Sequence, residues 1–187
     1  MAILRTFFAV PVVPPPALAG VLDDLRGLGR SLKVVEFGQL HLTLRFVGAT
    51  DEAVMPQLRA ALQKAVAGLT PGTLDLSGLG AFPSPAKATI IWGGVRPGPA
   101  ADTLATLAQR LEAGVTELGF APENRPFHPH LTLARVRNRP PKAWSDFYSR
   151  RHEVNLGQIP MTAVQLIVSE LGSAGPEYSV AATALLG

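Results

Sequence analysis

Apolar and polar residues repeat along this chain with two periods, one typical of strands and one typical of helices. Alternation, or clustering of β-branched and aromatic residues, predicts strands at 3–10, 40–47, 73–79, 87–95, 131–136, 163–170 and 177–182. Apolar residues three and four positions apart predict helices from Pro16 to about Arg30, from Asp51 to Ala67 and from Ala101 to Leu118. Thr50 or Asp51 is the expected N-cap of the second helix, and Gly48 is expected to end the strand before it.

The predicted strands and helices mix along the chain without a linker, a low-complexity tract or a heptad pattern. With 187 residues, of which 47% are hydrophobic, the chain is long enough and apolar enough to bury one core. The 18 Gly and 17 Pro indicate many turns between short elements. We therefore expect a single, two-lobed domain over 1–187.

The N-terminal segment has two interpretations. Arg5 precedes an apolar stretch over 7–13, and the Ala-Leu-Ala sequence at 17–19 resembles a signal-peptidase site. Pro11 interrupts that stretch and three prolines follow at 14–16, so a strand, a turn and a helix fit the pattern better. No uncharged, proline-free run reaches the roughly 18 to 20 residues that span a bilayer, so we expect no membrane association.

Composition narrows the chemistry that the chain can perform. The absence of cysteine excludes disulfides, thiolate nucleophiles and cysteine-ligated zinc or iron–sulfur centres. It is compatible with the cytoplasm, where we expect the protein. The net charge of +3 predicts no particular partner.

A short motif occurs twice and is the main chemical signal. His41-Leu42-Thr43-Leu44 recurs as His-Leu-Thr-Leu at 130–133, and both copies lie in predicted strands. Because alternate residues of a strand share a face, each copy should expose an imidazole and a hydroxyl while two leucines are buried.

Two such strands side by side would suit phosphate chemistry. A neutral imidazole can take a proton from an attacking oxygen, while a protonated one gives a proton to the leaving oxygen. The histidine pKa near 6.5 allows both states around neutral pH. Threonine hydroxyls can donate hydrogen bonds to the phosphoryl oxygens.

The motifs and their surroundings resemble the 2H phosphoesterases, and among them the RNA 2',3'-cyclic phosphodiesterases, also called 2'-5' RNA ligases. The second motif with its flanks, Asn-Arg-Pro-Phe-His-Pro-His-Leu-Thr-Leu-Ala-Arg at 124–135, is the most specific match. Further segments that resemble the family lie at 4–10, 40–48, 80–85 and 169–178.

This resemblance implies an α+β, bilobal fold, in which two facing antiparallel sheets are flanked by helices and each lobe carries one motif. It implies hydrolysis of an RNA-terminal 2',3'-cyclic phosphate to a 2'-phosphate, with the 2'-5' ligase reaction as its reverse. His41 would be the general acid and His130 the general base, and Thr43 and Thr132 would hold the phosphate. No metal or nucleotide cofactor is implied. The expected partners are RNA ends with a cyclic phosphate, such as tRNA fragments, bound by a monomer.

Four further residues are candidates for the site. The resemblance makes Arg135 a phosphate ligand, although strict alternation places it with the leucines unless a bulge redirects it. Alternation places Arg45 beside His41, where it contacts substrate or is a solvated strand residue. The resemblance suggests Phe8 and Phe46 as base-stacking residues; the alternative is that both belong to the core.

His128, two residues before the second motif, leaves another possibility open. A strand could present His128 and His130 together, and with His41 they could form a three-histidine zinc site. Pro129 disturbs such a strand, and no carboxylate is spaced to join the site, which favours the metal-free interpretation.

Basic residues are concentrated at 125–151. The segment holds seven basic side chains and a single acid, Asp146, with Trp144, Phe147 and Tyr148 interleaved. This combination suits a single-stranded RNA backbone with stacking platforms, and equally a solvated loop and helix.

Two other functions remain compatible with the sequence. One is a non-catalytic RNA-binding module on the same fold. The other is a phosphodiesterase acting on small cyclic nucleotides or on 2'-5' oligoadenylates.

Overall fold

A computed structural model describes residues 3–172 and 175–187. Its strands are β1 (Ile3–Pro11), β2 (Leu32–Val34), β3 (His41–Asp51), β4 (Gly72–Phe82), β5 (Ile90–Val95), β6 (His130–Val136), β7 (Asn155–Met161), β8 (Ala163–Gly172) and β9 (Gly175–Leu185). Its helices are α1 (Pro16–Gly27), α2 (Met55–Val66), α3 (Pro99–Glu117) and α4 (Trp144–Arg151).

All strand pairings in the described residues are antiparallel, and they form a sheet in the order β7-β4-β5-β6-β3-β1-β8-β9, with β2 paired to β6. The two halves of this sheet meet at a seam between β3 and β6, where a single residue pair, Leu42 with Leu131, is in register. The predicted α+β class is confirmed, and the two expected sheets are joined at this seam.

The helices cover one face of the sheet. Their buried residues, among them Leu22 of α1, Leu58 of α2 and Leu111 of α3, belong to the same core as Leu42 and Leu131. A second, small cluster of Phe7, Ala9 and Ile167 lies on the opposite face, with Tyr178 packed against it. The helix-free face is therefore the one on which a site can form.

Several element boundaries differ from the sequence predictions. β3 does not end at Gly48; it continues to Asp51, because Gly48 adopts a φ of +86° at a shift in the β1–β3 register. The helix expected from Asp51 begins instead as a short 3-10 turn, in which the Asp51 carboxylate accepts a hydrogen bond from the Ala53 N–H at 3.0 Å. β2 and β7 were not predicted, since β2 has three residues and β7 contains Gly157 and Pro160.

The N-terminal segment forms a strand, as the preferred interpretation predicts. β1 lies between β3 and β8 and hydrogen-bonds to both. None of the described helices is long and apolar enough to cross a membrane.

Each motif strand carries a bulge at the same distance from its histidine. In β3, Ala9 pairs with Thr43 and Phe8 pairs with Arg45, so Leu44 is the extra residue. In β6, Trp92 pairs with Thr132 and Ile91 with Ala134, so Leu133 is the extra residue. A bulge reverses the alternation beyond it. The fourth residue after each histidine therefore faces the core, and the fifth faces the helix-free side.

The bulge corrects the prediction for Arg45, which is neither a substrate contact nor a solvated residue. Its side chain is 7% exposed and forms an ion pair through Nε with Glu112 of α3. Its Nη2 donates to the Ala121 carbonyl at 2.6 Å, and Nη1 donates to the Phe46 carbonyl. Glu112 also accepts from the Glu123 N–H at 2.9 Å. Arg45 and Glu112 thus tie β3 to the loop that leads into β6.

Breaking this ion pair should destabilise the protein. We expect Arg45→Ala to lower the free energy of unfolding by about 3 kcal/mol, since it leaves the Glu112 carboxylate without its partner in a largely buried place. Arg45→Met with Glu112→Leu should cost less than Arg45→Ala alone, because no charge is then left unpaired. Urea denaturation measures both.

Lys64 and Glu117 provide the control, as their ion pair is 3.9 Å long and both side chains are mostly exposed. Lys64→Ala should change the free energy of unfolding by about 0.5 kcal/mol or less. Equal losses for Arg45→Ala and Lys64→Ala would contradict a structural role for the buried pair.

Candidate active site

The two His-Leu-Thr-Leu motifs lie against each other at the seam of the sheet. Extending the Leu42–Leu131 register by one residue in each direction places His41 opposite Thr132 and Thr43 opposite His130. Residues opposite each other in an antiparallel pair have Cβ atoms about 5 Å apart. Both motif leucines of each strand are buried in the core, as predicted. The two imidazoles and two hydroxyls therefore share the helix-free face.

The same hydrogen bond orients both imidazoles. His41 Nδ1 lies 2.7 Å from the Gln39 carbonyl oxygen, and His130 Nδ1 lies 2.7 Å from that of His128. A carbonyl only accepts, so Nδ1 carries the hydrogen and donates in each case. Nε2 of each ring is then left to exchange a proton with a substrate.

An aromatic cluster surrounds each histidine. The His41 ring centre lies 4.9 Å from that of Phe7 and 5.3 Å from that of Tyr178. The His130 ring centre lies 5.1 Å from that of Phe82 and 6.3 Å from that of Trp92. Both histidines are thereby partly withdrawn from water.

Close packing against Trp92 requires glycine at position 80. Gly80 pairs with Trp92 across β4 and β5, and a Cβ at this position would collide with the indole ring. Only glycine lets the indole lie flat on the neighbouring strand beside His130, so the mid-chain Gly-Ala-Phe segment helps to build the site.

Burial lowers the pKa of both histidines below the ordinary value of about 6.5. For His41 desolvation is the largest cause, and the nearby charge of Arg135 lowers the pKa further, while the bond to Gln39 partly opposes both. For His130 desolvation again dominates, with His128 lowering the pKa and the bond to the His128 carbonyl raising it. Both imidazoles therefore favour the neutral form more strongly than a solvent-exposed imidazole does.

Arg135 lies on the site face, which strict alternation did not allow. The bulge at Leu133 returns the fifth residue after His130 to the face of Thr132. Arg135 lines two adjoining cavities, together with His41 and Thr43. Thr132 lines the larger cavity; His130, half-buried at the beginning of β6, is part of neither wall. A guanidinium beside the motifs is suited to hold an anion.

The smaller cavity has a volume of about 350 Å³ and an aromatic wall. Phe46 forms part of it and is 44% exposed, as a stacking residue must be. Phe8 is 0% exposed in the main core, so its predicted stacking role is wrong. Its neighbour Phe7 lines the cavity instead. The sequence could not distinguish the two, because consecutive apolar residues in β1 do not show which of them share a face. Tyr178 of β9 was also missed, because the sequence gives no sign that β9 ends beside His41.

His128 lies beside His130, with ring centres 6.3 Å apart, and is exposed. It also contacts Trp92, at 5.3 Å between ring centres. Among the residues that the structure describes, no group of three or more His, Asp or Glu side chains is arranged to hold a metal ion. The alternative three-histidine site is therefore not assembled here.

The basic segment at 125–151 does not form one RNA-binding surface. Trp144 and Phe147 are 2% and 7% exposed, so these two are core residues and not stacking platforms. Arg151 forms an ion pair of 2.6 Å with Asp24. Arg135 and Arg137 of this segment line the larger cavity.

Comparison with known proteins identifies the class to which this fold and site belong. A family model described as the 2'-5' RNA ligase superfamily matches residues 14–171, and the chain belongs to this superfamily. The resemblance of the sequence to the 2H phosphoesterases is thereby confirmed.

Individual relatives match over most of their length. The chain is 35% identical to the RNA 2',3'-cyclic phosphodiesterase of Aeropyrum pernix, covering 86% of this chain and 90% of the relative. It is 32% identical to the protein of the same name from Methanothermobacter thermautotrophicus, covering 85% of each. The crystal structure of TT0787 of Thermus thermophilus superposes with a TM-score of 0.80 at 29% identity, covering 97% of both chains. The E. coli LigT complex with 3'-AMP shares the fold, with a TM-score of 0.76 at 24% identity and 99% of both chains covered.

The lowered pKa values can be measured directly. In NMR titrations of the free protein, His41 and His130 should both titrate below pH 6.5, since burial disfavours the imidazolium. Arg135→Gln should raise the pKa of His41 relative to wild type, because a repelling charge is removed. Arg59→Gln, on α2 and outside both cavities, is the control and should leave the pKa of His41 unchanged. An unchanged His41 pKa in Arg135→Gln would contradict the proximity of the two side chains.

Proposed function

We propose that this protein hydrolyses RNA-terminal 2',3'-cyclic phosphates to 2'-phosphomonoesters by acid–base catalysis of His41 and His130. The observation that carries the proposal is the pairing of the two motifs, which brings two imidazoles of fixed tautomer to one face beside Arg135. The names of the relatives, RNA 2',3'-cyclic phosphodiesterases, support the substrate.

His130 acts as the general base and His41 as the general acid. His130 Nε2 takes a proton from water as its oxygen forms a bond to phosphorus. The bond from phosphorus to the 3'-oxygen breaks, and protonated His41 gives its proton to that oxygen. The phosphate remains on the 2'-oxygen, and the two histidines have exchanged their protonation states. With a 5'-hydroxyl in the place of water, the same steps in the same direction give a 2'-5' linkage, so the joining reaction runs beside hydrolysis and is not its reverse.

The neighbouring residues hold the anion and the nucleoside. Thr43, Thr132 and Arg135 donate hydrogen bonds to the phosphoryl oxygens, where charge stabilisation provides most of the catalysis of phosphoryl transfer. The bound anion also favours the imidazolium form of His41, which burial alone disfavours. Phe46 stacks on the terminal base, a contact that tolerates any base.

Removing either histidine should abolish most of the activity. We expect His41→Ala and His130→Ala each to lower kcat by about 10² to 10⁴-fold, the usual contribution of a general acid or base. The assay uses an oligonucleotide ending in a 2',3'-cyclic phosphate, with EDTA present to test the proposed independence from metal ions.

His152→Ala is the matched control, because this histidine is exposed near the end of α4 and lies outside both cavities. Its activity should equal that of wild type. Full activity of His41→Ala or His130→Ala would refute the catalytic pair, and wild-type protein that binds the RNA without turnover would identify a binding module.

The activity should also show the lowered pKa values in its pH dependence. Catalysis needs one neutral and one protonated histidine, so kcat/KM should follow a bell centred between their pKa values, which lies below pH 6.5. Above the upper pKa the rate should fall about tenfold for each pH unit, because the acid loses its proton. A bell centred above pH 7 would be inconsistent with these two groups.

A further inference from the structure

The larger cavity runs from the paired motifs along β2 and the end of α1, and has a volume of about 710 Å³. Two carboxylates, Glu36 and Glu177, form part of its wall. Five basic side chains line it: Arg26, Arg30, Lys33, Arg135 and Arg137. We call this cavity the basic groove.

The pairing of β2 with β6 brings these side chains into a row. Lys33 lies opposite Arg135 in the register, and Arg137 follows two residues later on the same face. The Arg137 N–H donates to the Ser31 carbonyl at 2.9 Å, which continues the pairing toward Arg30. The row therefore begins at Arg135, beside His41, and leads away from it.

The charges of this row are only partly neutralised by the protein. Arg26 forms ion pairs with Asp23 at 2.7 Å and with Glu36 at 3.6 Å. Arg30 and Arg137 are exposed, and no carboxylate in the described part of the chain forms an ion pair with either. Unpaired guanidinium groups along a groove are suited to a row of phosphates.

The two cavities differ in the part of a nucleotide that they suit. Phe7, Phe46 and Tyr178 give the smaller cavity its aromatic wall. The basic groove shares only Tyr178 of these three, at the junction of the two cavities. His41 and Arg135 belong to both. A strand whose end lies at this junction can thus place its terminal base on one side and its backbone on the other.

We propose that the basic groove binds the phosphates of the nucleotides that precede the terminal cyclic phosphate. This inference rests on the function proposed above and makes the substrate a strand of several nucleotides. The groove contacts the backbone and not the bases, so it favours longer RNA without selecting a sequence. From the basic segment at 125–151 the groove takes Arg135 and Arg137, and the rest of this RNA-binding surface comes from α1 and β2.

Strand length and salt concentration test the groove. With oligonucleotides of one to eight nucleotides ending in a cyclic phosphate, kcat/KM should rise with length and level off once the groove is filled.

Binding of the longest oligonucleotide to the inactive double variant His41→Ala/His130→Ala, measured by fluorescence anisotropy, should weaken as the salt concentration rises. Adding Arg30→Gln and Arg137→Gln should reduce the slope of log K against log salt by about 0.7 for each arginine. In the protein that keeps both catalytic histidines, Arg30→Gln with Arg137→Gln should also remove most of the dependence of kcat/KM on strand length.

Arg59→Gln is the matched control, because Arg59 is exposed on α2 and lines neither cavity. Its length dependence and salt slope should equal those of wild type. Equal effects of Arg59→Gln and the groove variants would overturn the proposal, since net charge alone would then explain them.

The outcomes separate this inference from the proposed function. Equal kcat/KM for the mononucleotide and the octanucleotide would overturn the groove while the phosphodiesterase activity stands. Absence of turnover on every substrate would refute the activity, and the salt slopes would still decide for or against the groove. If the groove variants impaired only the joining of a 5'-hydroxyl strand, the groove would hold that strand, and the proposal would be wrong.

Discussion

The whole site depends on the contact between Leu42 and Leu131, the single pair through which the two halves of the described sheet meet. Burial of a leucine is worth roughly 1.5 to 3 kcal/mol, so the motif leucines fix the two strand ends against the core. The polar residues on either side are then forced onto the opposite face. One imidazole alone could serve as acid or base; only the seam makes a pair.

The sequence predicts the orientation of the motif residues correctly because alternation holds for three residues after each histidine. His41, Thr43, His130 and Thr132 all lie on the predicted face. Beyond the third residue the bulges change the phase, and a period-two pattern contains no sign of them. This is why alternation places Arg45 beside His41, whereas the structure buries its side chain.

The parts that the sequence could not predict depend on contacts between distant segments. The pairing of β2 with β6 assembles the basic groove, yet β2 is three residues long and has no recognisable period. Trp144 and Phe147 of α4 pack into the core. From the sequence alone, their place among basic residues suggests that they stack on RNA. Charge along the chain therefore located basic residues without showing which of them share a surface.

The bonds from each imidazole Nδ1 to the carbonyl two residues earlier separate two properties of the site. Each donor begins a strand and its acceptor lies two residues before it, so the direction in which each Nε2 points is set locally. The separation between the two Nε2 atoms is set by the seam. If the cleft widened around a larger substrate, the distance between the two Nε2 atoms would increase without either ring turning. Closing the cleft again would restore that distance without a change of side-chain rotamer.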